Sequence, residues 1–278
     1  MKSRWQMAAG VLTSLVAAMG ASSALGEDSS GFAVRCAPIG VCFCVNHEFE
    51  ALISANASRL RGDLAAARSS GKLTIYISTP LSTKGGSHYA VNEAAAGATK
   101  KALATRFGID RVYILNPAEV SMKIGDRNAG QGDYMLLWAL VLGGERGLAE
   151  DFDAVYFMGP SDYASTLHLT GADDLVQLGK EFDRLLSENA KFADDVKNKR
   201  LTKESFLAYY GLRASAAFST GARDEWNIAR LANARRREMD GATGQLAVFF
   251  DGRAVDTGDY EDGVTPGNAW TGSIACSP

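Results

Sequence analysis

Apolar and polar positions along this chain alternate between two textures. Four short runs, Lys72–Ser82 (KLTIYISTPLS), Arg111–Val120 (RVYILNPAEV), Asp153–Asp162 (DAVYFMGPSD) and Gln245–Asp251 (QLAVFFD), are rich in β-branched and aromatic residues, the composition of strands. Leu73, Ile75 and Ile77 alternate with polar or aromatic residues until Pro80 stops the first run. Elsewhere apolar residues recur every three or four positions, the period of helices. Asn46 is placed to cap a helix to about Arg68, with Phe49, Leu52, Ile53, Leu60 and Leu64 inward and Ser69-Ser70-Gly71 as its stop. Asn92 is placed to cap a second, ending at Phe107-Gly108. A third opens at Asp133 after a loop containing Gly125, Gly130 and Gly132; its text, DYMLLWALVL, is apolar almost all round and predicts burial. A fourth begins near Ala222 within Ser219–Ala234.

Strands alternating with helices predict parallel pairing through crossover helices. The expected fold is therefore α/β: a doubly wound, mainly parallel sheet in a Rossmann- or flavodoxin-like three-layer sandwich, spanning residues 72–252. Tyr163–Phe218 breaks the alternation with helical text alone. There Thr170 is placed to cap a helix containing Leu175, Leu178, Phe182 and Leu185, and Thr202 another containing Phe206, Leu207, Tyr210 and Leu212. This reads as a helical insertion at 163–218, either a lid over the strand ends or an extension of one sheet face. Residues 27–71 form an N-terminal segment with its helix, and 253–278, rich in Gly and Asp, an irregular tail. No internal repeat is visible.

The first 26 residues read as a signal peptide. Lys2 and Arg4 supply a positive end, Met7–Met19 an apolar stretch too short for a membrane span, and Ser22-Ser23-Ala24-Leu25-Gly26 a small-residue cleavage region. A mature protein without a membrane span, periplasmic or secreted, is expected. Four cysteines in such a compartment predict disulfides. Cys42 and Cys44 are too close for an easy mutual bridge, so one is expected to pair with Cys36 and the other with Cys276. The histidines His47, His88 and His168 have no ligand spacing, and neither a metal nor a redox cofactor is called for. With 29 basic against 32 acidic residues the formal net charge is −3, which argues against nucleic acid as a partner. Arg235-Arg236-Arg237 reads as favourable charge at a helix C-terminus.

Candidate chemistry follows from where a parallel sheet binds ligands, beyond the carboxyl ends of its strands. That end would receive Ser78, Thr79 and the Gly85-Gly86 loop from the first strand, Asn116 from the second, and Ser161 and Asp162 from the third. Asp133 and Glu225 would enter from two helix N-termini. Glu225 shares a helix face with Ile228, Ala229 and Ala232, and a carboxylate on an apolar stripe costs free energy unless it is paired or used. Asp224 and Arg223 would face solvent. Taken alone, Asp133 reads first as a plain helix cap, and Asn92 likewise. Gly85-Gly86-Ser87 has the form of a phosphate-wrapping loop. Ser87-His88 makes no triad, and G-x-S-x-G and G-x-G-x-x-G are absent, which disfavours serine hydrolases and dinucleotide oxidoreductases.

Taken together, IYISTPLS, the Asn92 helix, LNPAEV, Asp133-Tyr134-Met135, DAVYFMGPSD and S-x-G-A-x-x-E (Ser219 to Glu225) resemble the nucleoside 2-deoxyribosyltransferase-like family, in its poorly characterised bacterial branch. The resemblance covers Leu73 to Phe250 with 163–218 unmatched. It implies that Glu225 is the nucleophile of an N-glycosidic-bond hydrolase or transferase acting on a nucleoside, nucleotide or related ribosyl compound. Asp133 and Asp162 would act as acid/base or base-orienting groups, and the Ser78–Asn92 loop would surround the sugar or its phosphate. It also admits a homo-oligomer, since such enzymes often complete their sites with a neighbouring subunit. Thr79 departs from the family, which usually has Gly before Pro80, and an export signal is at odds with mainly intracellular nucleosides. The alternatives are a non-catalytic periplasmic module that binds a ligand or partner on the same fold, and an envelope structural protein.

Overall fold

The computed structural model of the chain describes residues 31–81, 85–240, 244–257 and 276. The expected signal peptide lies outside the described residues, as does most of the C-terminal tail. An antiparallel hairpin, β1 (Phe32–Cys36) and β2 (Cys42–Asn46), leads through a short 3-10 turn capped by Asn46 into α1 (Glu50–Ser69). Then follow β3 (Leu73–Ser78), α2 (Tyr89–Phe107), β4 (Val112–Leu115), a small pair β5 (Lys123–Ile124) and β6 (Arg127–Asn128), α3 (Gln131–Gly143), β7 (Ala154–Phe157) and α4 (Pro160–Thr166). Three helices, α5 (Asp174–Glu188), α6 (Ala190–Lys197) and α7 (Lys203–Leu212), precede α8 (Thr220–Asp240), β8 (Ala247–Phe250) and β9 (Arg253–Ala254).

The main sheet has the order β4-β3-β7-β8-β9, parallel throughout except for β9, which turns back on β8. The fold is α/β. Helices cover both faces, so β3 is buried on both: Thr74, Tyr76 and Ser78 are as enclosed as Ile75 and Ile77. The sequence alternation in this strand therefore separates two cores rather than core from water. Tyr76, Leu115, Val155, Phe157 and Val248 face a core with α1, α3 and α8. Ile75, Ile77, Val112, Ile114 and Tyr156 face another with α2, α4 and the insertion helices.

The strands are shorter than their sequence signatures. Pro160, at the first position of α4, ends the third run early, so Ser161 and Asp162 stand in a helical turn rather than on a strand. Helix α2 starts three residues before the expected cap: His88 Nδ1 accepts the Ala90 amide at 3.3 Å, and Asn92 lies inside the first turn. Thr170 does not cap α5; its amide and that of Gly171 both donate to the Asp174 carboxylate. Thr202 does cap α7, accepting the Ser205 amide at 3.2 Å. Leu175 and Leu212, expected inside, are 64% and 81% exposed.

Cys36 pairs with Cys42, opposite it across the hairpin, and Cys44 pairs with Cys276 across 232 residues. Arg235 and Arg236 do more than complement a helix end. Their guanidiniums donate to the carbonyls of Pro38 and Ile39, and of Leu148, Ala149 and Gly244, tying α8 to three loops. Among the described residues no helix is long and apolar enough to cross a membrane.

Candidate active site

The S-x-G-A-x-x-E segment folds as its spacing requires. Ser219 Oγ accepts the Ala222 amide at 3.3 Å and closes the first turn of α8. Gly221 packs on α3, where an added Cβ would lie 3.1 Å from the Met135 sulfur. Ile228, Ala229 and Ala232 are fully buried, and Glu225, on the same stripe, is 5% exposed. Its Oε1 accepts a 2.5 Å hydrogen bond from the hydroxyl of Tyr76. Its Oε2 is buried, and the equally buried Ser78 hydroxyl lies beside the carboxyl.

Tyr76 and Ser78 are two apart on β3 and therefore point to the same face, toward α8. Burial pushes the Glu225 carboxyl up to about 7; the nearby Ser78 and Tyr76 hydroxyls work against this, and the neighbouring Asp224 adds to it. Burial and the Glu225 charge both raise the Tyr76 hydroxyl, which stays a neutral donor. The result is a carboxyl poised to gain or lose a proton near neutrality, with Oε1 fixed by Tyr76 and the Ser78 hydroxyl beside it.

Other candidates are held elsewhere. Asp133 Oδ1 accepts the Asn46 amide at 2.8 Å and Oδ2 the Gly130 amide at 2.7 Å. It caps α3 and fastens β2 to it. Asp162 accepts the Gly159 amide at 2.9 Å and the Tyr156 hydroxyl at 3.0 Å, with Thr99 at 3.4 Å. Tyr156 belongs to the core on the face away from Tyr76, so the sheet separates Asp162 from the Glu225 cluster. As acid/base or base-orienting groups they would need free oxygens; each instead accepts the backbone amide of the glycine that precedes its helix. Asn116 Oδ1 caps a 3-10 turn through the Ala118 amide, and the amide and hydroxyl of Ser161 donate to Asp251.

The phosphate-loop expectation also meets a physical obstacle. Gly86, at φ +103°, lies against α7 so closely that a Cβ would collide with the Ser205 carbonyl. The His88 amide, next along the loop, donates to the Tyr210 hydroxyl at 2.9 Å, which in turn donates to Asn92 Oδ1 at 3.0 Å. The loop is thus a seat for the insertion. Thr79 and Ser78 remain at the strand exit, both buried.

Sequence reasoning missed Tyr76 and misjudged Asp224, which is fully buried beside Glu225. Tyr76 was within reach of the period-two rule, since Ser78 had already been singled out on its face. No family model, no curated protein and no solved structure matches the chain.

Proposed function

We propose that this chain is an exported enzyme of the nucleoside 2-deoxyribosyltransferase-like family that cleaves the N-glycosidic bond of a nucleoside, nucleotide or related ribosyl compound, as hydrolase or transferase. The strand order supports a doubly wound, flavodoxin-like sheet: from β3 the chain moves outward to β4, then returns to add β7 and β8 on the other side. In such sheets ligands bind beyond the strand ends where the order reverses, here between β3 and β7. The two disulfides fit an oxidising compartment, periplasmic or extracellular.

The observation that carries the reading is Glu225, a buried carboxyl beside the β3 exit with Oε1 held by Tyr76 and the Ser78 hydroxyl alongside. Ionised Oε2 attacks the anomeric carbon as the carbon–nitrogen bond breaks. The electron pair leaves on the base nitrogen, which takes a proton from solvent. Water or a second base then displaces the glutamyl ester from the same carbon and restores the carboxylate, giving net retention. Tyr76 orients the nucleophile and Ser78 meets the sugar. Asp133 and Asp162 serve as helix caps in this scheme.

Purified mature protein is expected to release free base from at least one member of a ribonucleoside and deoxyribonucleoside panel, followed by chromatography. Glu225→Gln should lower that rate by at least about 10³-fold while the far-ultraviolet spectrum stays unchanged. Equal rates in the two proteins would remove Glu225 from the chemistry.

One observation favours the non-catalytic alternative: the two other acids are bound by backbone amides, which leaves leaving-group protonation without a dedicated side chain. Ligand-dependent rise in melting temperature with no base released across the same panel would select that reading.

A further inference from the structure

At the opposite end of the sheet from Glu225, where β7 and β8 begin, lies a cavity of about 310 Å³. Phe152 and Leu148 are buried in its wall, Met239 stands exposed at its rim, and three guanidiniums line it, those of Arg68, Arg146 and Arg236. They arrive from the C-terminal ends of α1 and α8 and from the loop after α3. Glu225 and Arg236 are eleven residues apart on α8, about 16 Å along a helix, so the two places are distinct.

Each guanidinium carries five N–H donors. Arg68 commits Nη1, to Thr74 Oγ1 and to Asp153 Oδ1, both at 3.2 Å. Arg236 donates to the carbonyls of Leu148, Gly244 and Ala149 and has no carboxylate at ion-pair distance among the described residues. The Arg146 side chain is 67% exposed, and its Nε lies 3.7 Å from Glu150, too far for a hydrogen bond. Donors are therefore left over on all three. The two acids in the lining do not use them up. Glu150 accepts the amides of Arg146 at 2.8 Å and Leu148 at 3.2 Å, and Asp153 accepts the amide and hydroxyl of Thr74 at 2.8 and 3.0 Å. Three guanidiniums against two carboxylates leave the lining with excess positive charge. Burial holds the Arg236 guanidinium below its ordinary value; Glu150 and Asp153 oppose this, and Arg68 and Arg146 add to it. Loop anchoring accounts for Arg236. It does not account for Arg146, whose side chain closes no hydrogen bond of its own.

We propose that this cavity binds the phosphate monoester of a small organic molecule, with the phosphate among Arg68, Arg146 and Arg236 and the apolar part against Leu148, Phe152 and Met239. A tetrahedral dianion presents oxygens in several directions and accepts from guanidiniums that arrive from different elements, whereas a flat carboxylate pairs best with one. The volume is at the lower end of small-molecule sites and leaves room for a few carbons beside the phosphate. This binding is independent of the glycosidic reading and of Glu225.

The test is calorimetric titration of the full mature chain with glycerol 3-phosphate at low ionic strength, with neutral glycerol as the control. Saturable binding of the phosphate alone is expected. Arg146→Ala should weaken it roughly 10-fold, and Arg146→Lys should restore part of the loss. Met239→Asp, which sets a carboxylate at the rim, should weaken it as well. Arg184→Ala, the same loss of charge on α5, should change nothing. Arg146 and Met239 are exposed, so the ligand-free melting temperature should stay that of the natural protein. Absence of glycerol phosphate binding would overturn the site, as would affinity unchanged in both Arg146→Ala and Met239→Asp. A matching loss in Glu225→Gln would put the ligand at the other end of α8 and overturn it too. Vesicles of phosphatidic acid beside phosphatidylcholine separate the sources of the monoester. Sedimentation with the former alone, abolished by glycerol phosphate and by Arg146→Ala, assigns it to a lipid headgroup, and calorimetric binding without sedimentation assigns it to a soluble ester. Sedimentation without glycerol phosphate binding would be a general surface attraction and would contradict the cavity.

Discussion

Glu225 lowers the stability of the fold in order to occupy its place. Its carboxyl titrates near 7 in the folded protein and near 4.5 in the unfolded chain, with burial as the main cause. Between those values the folded state keeps a proton that the unfolded state has lost, so stability falls as pH rises and levels off above about 7. The total is on the order of 3 kcal/mol between pH 4 and pH 8. Glu225→Gln carries no such titration and can still accept from Tyr76. Its stability advantage over the natural protein should therefore grow by about that amount from pH 4 to pH 8, read from urea midpoints. Parallel pH profiles for the two proteins would show that the carboxyl is solvated. The acid itself was legible in the sequence, because residues three, four and seven positions onward are apolar. Asp224 was misread for the same reason: a single-stripe rule expects water on the flank of a helix, and the start of α8 is covered on that flank too.

Among the elements, the insertion is anchored through His88. This residue caps α2 with Nδ1, meets the Phe192 ring edge-on at 4.8 Å and keeps Nε2 3.6 Å from Asp195. Burial holds its imidazole below the ordinary value of 6.5; Asp195 opposes that and Lys191 reinforces it. Below pH 6.5 the unfolded chain takes a proton that the folded state resists, so this group costs stability as pH falls. In the natural protein the Glu225 effect runs the other way over much of the same range and masks it. In a Glu225→Gln background, stability should decline from pH 7 to pH 5, and His88→Gln should flatten that decline. A decline of equal slope with and without His88 would assign it to other groups.

The four strand segments, their parallel pairing and the Thr202 cap were readable from period and cap chemistry, which are local. The cap at His88 and the use of Gly86 to seat α7 were not, because His88 is held by Tyr210 and Phe192 and Gly86 by Ser205, all distant in sequence. Asp133 shows the same division: the sequence marks an acid at a helix start, but only packing shows that the Asn46 amide holds it.

At the scale of the whole molecule, a sheet with two cores is tied at its start and finish by covalent links. The Cys44–Cys276 bridge spans 232 residues, whereas Cys36–Cys42 spans 6. A crosslink stabilises mainly by restricting the unfolded chain, and more so for a longer loop. Replacing Cys44 and Cys276 together by Ser should cost about 2–4 kcal/mol in denaturant unfolding, and the Cys36/Cys42 double replacement distinctly less. The opposite ranking would mean that the hairpin bridge holds the Asn46 anchor of Asp133 in place. The arrangement of disulfides was half legible: the spacing of Cys42 and Cys44 excluded their mutual pairing, but the choice of partner needed the hairpin register, in which Cys36 and Cys42 stand opposite each other.

The central claim is chemical, that the carboxylate of Glu225 forms a bond to a sugar. The most direct measurement is intact-protein and peptide mass spectrometry after brief incubation with the nucleoside panel and acid quench. A mass increase of one glycosyl residue, mapped to the peptide containing Glu225 and lost in Glu225→Gln, is the predicted result. Base release without any adduct on that peptide, undiminished in Glu225→Gln, would contradict it.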